Sequence, residues 1–186
     1  MGILDTFKAL ADWVLLVPKL VKLNADQRQE VRDVVGGISD ELTRGLDLVA
    51  QRIEGARRIA LSKEKGAKKE LVIYLDENVG KLFEAFSEFK ICRGLREKRD
   101  HFKQVFHPAK AAVRRENIDK VTQLLYELES DERMIIDEVG PLLNGLRTSA
   151  SKSKKKFLID SDEALKTLEL RKRRLKKIAR SVHDSL

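Results

Sequence analysis

The stretch REKRDH sets His101 five positions after Arg96. A histidine titrating near neutrality can take and return a proton, and an arginine can balance the charge that gathers on a phosphate during reaction. Arg96 and His101 are therefore the candidate catalytic pair. The rest of the chain offers little other chemistry. It has three histidines and a single cysteine, Cys92, with no glycine-rich phosphate loop, no nucleophile elbow and no Cys or His pair at metal-ligand spacing. His101 and His107 stand six apart, on different faces of a helix, so no shared metal is expected, and no cofactor is implied. Cys92, between Ile91 and Arg93, reads as a small buried hydrophobe.

The Arg96-x4-His101 pattern resembles the signature of HEPN-type helical ribonucleases, in which an arginine and a histidine on one helix of a small bundle act on the RNA backbone, usually across a dimer. The resemblance covers these six residues, with Glu97 where that family carries a polar residue after the arginine. It implies an RNA-cleaving bundle using Arg96 and His101. Read as structure alone, RGLREKRDH is a charged helix face with Leu95 and Phe102 turned to a core.

The elements that must position these residues are helical. Charged residues make up 37% of the 186-residue chain, aromatics 5%, and there are three prolines, a profile of long solvated helices rather than a sandwich of strands. Asn24 followed by Gln27 has the form of a capping box, which starts a helix near Ala25. Apolar residues then recur at Val31, Val34/Val35, Ile38, Leu42, Leu46, Val49, Ile53 and Ala56, in steps of three and four that share one face. Gly36-Gly37 predicts a kink or break, with Ser39 capping a restart. After SKEKGAKKE a second pattern runs from Leu71 to Phe106, ending before Pro108. If continuous from Lys68, that helix is roughly 55–60 Å long. A third carries Ile118 to Val139, and Gly140-Pro141 ends or bends it. The expected fold is all-α: an elongated antiparallel bundle of about four helices with a C-terminal basic amphipathic helix. A homodimer through the long helices, or a coiled-coil scaffold for partner helices, follows from the same faces.

Charge divides the chain. Residues 148–186 hold 12 Lys/Arg against five acids, a balance of +7 out of a total of +8. The expected organisation is a helical bundle over 1–147, including an apolar helix over 1–23, and a basic linker and amphipathic helix over 148–186. NGLRTSASKSKKK reads as the linker because it has no apolar period, and Asp160 and Glu163 mark the start of the last helix. On its wheel Leu168, Leu175, Ile178, Ala179 and Val182 form a stripe on which Arg171 intrudes. The candidate binding residues are Lys152, Lys154, Lys155, Lys156, Arg171, Lys172, Arg173, Arg174, Lys176, Lys177 and Arg180. They suit an anionic membrane, a nucleic-acid backbone or an acidic protein. Phe157 is the single aromatic of this segment, so nucleic-acid contact would be to phosphates and salt-sensitive. Alternatively the same helix packs its stripe on the body and presents an ordinary solvated face.

The opening MGILDTFKALADWVLLVPKL is interrupted by Asp5, Lys8, Asp12 and Lys19, so it is too charged to span a bilayer, and it lacks the basic start and cleavage site of a secretory signal. Its polar sector is narrow and electrically balanced, which suits a helix enclosed in a bundle. MGILDT also fits M-G-x-x-x-[ST], which makes Gly2 a myristoylation candidate in a eukaryotic cell. The sequence thus predicts an intracellular protein, soluble or peripheral at a membrane. It reads as a non-catalytic interaction module that docks on an acidic surface through its C-terminal segment, with a releasable N-terminal helix.

Overall fold

The computed structural model describes residues 3–20, 23–88, 97, 123 and 132–186. Five helices, α1 (Ile3–Leu20), α2 (Ala25–Leu61), α3 (Ala67–Glu88), α4 (Glu132–Lys152) and α5 (Lys154–Ser185), pack against one another with no strand among the described residues.

The capping box starts α2 as its two residues require. The Gln27 amide donates to Asn24 Oδ1 at 2.8 Å and the Asn24 amide to Gln27 Oε1 at 3.1 Å, so two otherwise unpartnered donors are satisfied reciprocally. Every apolar position of the predicted stripe, Val31 through Ala56, is buried. The expected break at Gly36-Gly37 does not occur: α2 runs 37 residues without interruption, about 55 Å. Val34, Val35 and Ile38 are buried on both sides of the glycines, and that packing outweighs their cost of about 1 kcal/mol each. Ser39 lies buried inside the helix and caps nothing.

Polar contacts give the direction of α5 against α2. Arg32 Nε donates to the His183 carbonyl at 3.2 Å, Lys172 Nζ to Asp47 Oδ1 at 2.7 Å, Arg57 Nη1 to Ser161 Oγ at 2.7 Å, and Lys154 Nζ to the Ser62 carbonyl at 2.9 Å. As numbers rise along α2 they fall along α5, so the pair is antiparallel over nearly its whole length. The same alternation closes a ring: α3 packs on α2, α4 on α3, and α5 on both α4 and α2.

The described connections from α2 to α3 and from α4 to α5 are short. Gly66, at φ +104°, takes the left-handed conformation that turns the chain from α2 into α3 without a Cβ clash. Gly55 serves a different need: a methyl there would overlap the Tyr74 hydroxyl and come within 3.0 Å of its Cζ, so the glycine lets Tyr74 lie close on α2. Helix α4 runs through Pro141, which is solvent-exposed, so water can satisfy the carbonyl that loses its partner.

The stretch read as a linker is helical. α4 continues to Lys152, Ser153 alone breaks the run, and α5 begins at Lys154 rather than near Asp160. Ser153 Oγ accepts from the Lys156 amide at 3.1 Å, the N-cap bond that makes so tight a reversal stable. Ser149 and Ala150 are buried on the α4 side; their small side chains allow the two helices to close. Helix α5 then contributes Phe157, Ala164, Leu168, Leu175 and Val182 to the common core, so the basic segment is a member of the bundle.

Helix α1 buries Phe7, Leu10, Ala11 and Val14 and leaves Asp5, Lys8 and Asp12 exposed, as its narrow polar sector predicts. Its main neighbour among the described residues is α5. No helix among the described residues is long and apolar enough to cross a membrane.

Candidate anion-binding surface

One turn of α5 sets its chemistry. The stripe that faces the core also fixes which cations flank it and which point away, because successive residues are rotated by about 100°. Lys172 stands at the edge of the stripe, with its side chain 20% exposed, and donates to both Asp47 Oδ1 at 2.7 Å and Glu169 Oε2 at 2.8 Å. The bond to Asp47, then that to Glu169, holds the ammonium pKa above the ordinary lysine value. Glu169 also accepts from Arg173 Nε at 3.2 Å; the bonds from Lys172 and Arg173 hold its carboxyl below the usual range. Lys154 donates to the Ser62 carbonyl, and Arg171 is half-buried and interacts within the protein. These members of the predicted binding set serve the bundle.

The N-terminal part of α5 is similarly occupied. Asp160 accepts from Ser149 Oγ across the α4–α5 reversal and pairs with Lys156 Nζ at 3.4 Å. The serine bond is the main reason that its carboxyl lies below the usual carboxylate range. Arg57 of α2 reaches Asp162 Oδ1 at 2.8 Å and the Leu158 carbonyl at 3.0 Å.

The remaining cations point away. Arg174, Lys176, Lys177 and Arg180 are exposed and have no ion-pair or hydrogen-bond partner among the described residues. Between Leu170 and His183 the helix carries no acid. With Arg173, Ser181, Asp184 and Ser185, three of these cations line an open groove of about 710 Å³. Lys152 and Lys155 are exposed at the opposite end of the helix, beside the reversal. The predicted set of eleven therefore separates into residues committed to packing and a cluster directed at solvent. Lys166 belongs with the second group and is missing from the sequence-derived set; its signal was its place opposite Leu168 on the wheel.

Arg96, His101, Cys92 and Gly2 lie outside the described residues. Among the described residues no three His, Cys, Asp or Glu side chains converge as a metal site would require. Fold and surface together define an antiparallel helical bundle with a cationic outer face. Compared with known proteins, no family model, no curated protein and no solved structure matches the chain.

Proposed function

We propose that the protein is a non-catalytic helical-bundle interaction module that docks on a polyanionic surface through the outer face of α5. The observation that carries this reading is the cluster Arg174, Lys176, Lys177 and Arg180, exposed and without acidic partners among the described residues. Cations held on a rigid helix and left unneutralised attract counterions, and a phosphate-bearing partner releases them on binding. Among the described residues helix α1 leans mainly on α5, so its detachment would leave the ring of α2 to α5 closed; it is the releasable element of the module.

Binding across a salt series tests the proposal, with anionic vesicles, RNA and duplex DNA as probes. Removing residues after Arg147 would delete a core helix, so the informative variant is the full chain carrying Arg174→Glu, Lys177→Glu and Arg180→Glu. The expected result is salt-sensitive binding of at least one probe by the wild-type chain and a flatter, weaker salt dependence in the variant. Equal binding by a folded triple variant overturns the placement of the interaction on α5.

A further inference from the structure

Four large apolar side chains are exposed among the described residues, and two of them, Ile159 at 59% and Leu170 at 56%, belong to α5. Scattered surface aliphatics are ordinary, but these two share a line. Lys155, Ile159, Lys166, Leu170, Arg173 and Lys177 fall within about 60° of arc at 100° per residue, and all six are exposed. The line runs opposite the stripe of Phe157, Leu168 and Leu175 that enters the core, so it is the outermost edge of the bundle on this side. No acid lies within it; of the two that flank it, Asp162 is paired with Arg57 and Glu163 is exposed beside Lys166. At 1.5 Å per residue it is about 33 Å long.

Cations alone would suit any polyanion, but isoleucine and leucine placed between them do not. A phosphate backbone gains nothing from an aliphatic side chain, and this line has no aromatic on which a base could stack. An anionic bilayer uses both groups: lysine and arginine heads sit at the level of the lipid phosphates while their stems and the aliphatic side chains enter the acyl boundary. We propose that the outer line of α5 is a membrane-contact edge on which the bundle lies flat, with Ile159 and Leu170 inserted between anionic headgroups. This rests on the reading of α5 as a docking face and names its partner as a lipid surface.

The test compares the full chain with an Ile159→Ser/Leu170→Ser variant for co-sedimentation with phosphatidylcholine vesicles, with and without phosphatidylserine, and for binding to single-stranded RNA. Both positions are exposed, so the variant should keep the wild-type thermal transition. The expected outcome is phosphatidylserine-dependent, salt-sensitive vesicle binding that falls by more than about tenfold in the variant, as loss of two inserted aliphatics implies, with RNA binding unchanged. Vesicle binding equal in the two proteins overturns the insertion of these residues. Salt-sensitive RNA binding without vesicle binding overturns the lipid assignment while leaving α5 as a docking face. Failure of the wild-type chain to bind vesicles overturns the lipid assignment, and failure to bind RNA and duplex DNA as well overturns the docking face.

Discussion

Lys172 and Lys177 stand five residues apart on one helix and differ in almost everything but their chemistry. Lys172 lies at the edge of the buried stripe, held between Asp47 and Glu169; Lys177 faces outward, with no partner among the described residues. The flank of α5 that meets α2 commits its polar groups to register: Ser161, which accepts from Arg57 of α2, Lys172 and Lys154 fasten the two helices at intervals along their length. The outer edge has nothing to fasten. A rotation of about 140°, given by five steps of 100°, therefore separates a cation that holds the bundle together from one that is available to a partner.

The most severe way to break this comparison is to remove what both regions depend on, the buried stripe. Phe157 is fully buried at the start of α5, and Phe157→Ala should destabilise the protein by about 3–5 kcal/mol, read as a fall in the urea midpoint at unchanged slope. A chain ending at Arg147 loses the whole stripe and should show no cooperative transition.

Lys172→Met tests the inner flank alone, because it keeps the aliphatic stem and removes the ammonium. Asp47 and Glu169 are each nearly half exposed and can be rehydrated, so the expected loss is about 1 kcal/mol rather than the larger penalty of stranding a buried charge. The ammonium pKa is raised in the folded protein. Its contribution is therefore complete below the ordinary lysine value of 10.5 and disappears as pH rises through the folded value. Urea midpoints of wild type and variant, distinct at neutral pH, should converge in strongly alkaline buffer.

Ser149→Ala should have a smaller effect still, at the α4–α5 reversal. It removes the bond that most lowers the Asp160 carboxyl. A carboxyl lowered in the folded state stabilises above its unfolded value, 3.8, and that contribution is lost as pH falls through the folded value. The difference in thermal midpoint between wild type and variant should thus be present at neutral pH and shrink in acid below that range.

This reversal also marks where the sequence was least legible. The α2 stripe could be read because its capping box and its three-and-four spacing agree, and the structure buries each of its positions. The stretch from Thr148 to Lys156 has no such period, so its serines and lysines suggested a linker. In the bundle the serines divide their work: Ser149 is buried and donates to Asp160, Ser151 donates to the Arg147 carbonyl, and Ser153 caps α5. The Ser151 bond is local to α4 and the Ser153 bond to the start of α5, whereas the role of Ser149 depends on where α5 lies; residue type alone does not tell the three apart. The cationic cluster was legible in number but not in assignment, for the same reason: Asp47 is 125 residues from Lys172. Leu170 could have been found from its place opposite the predicted stripe, as Lys166 could, whereas Ile159 lay before the expected start of the helix near Asp160 and so was on no wheel.

The smallest effect on stability should come from the outer cations, and it sharpens the comparison most. Replacing Arg174, Lys177 and Arg180 together by Gln removes three charges that touch no acid among the described residues. Two terms then oppose each other. Loss of mutual repulsion along one face favours the folded chain, whereas loss of cations near the C-terminus of α5 gives up a favourable interaction with the helix dipole, about 0.3–1 kcal/mol at the last turn and less further back. The net change should lie within about 0.5 kcal/mol of zero, and raising the salt concentration should diminish both terms together. A triple variant that is clearly less stable than Lys172→Met would mean that the outer edge is as structural as the inner flank, and the distinction between the two would fall.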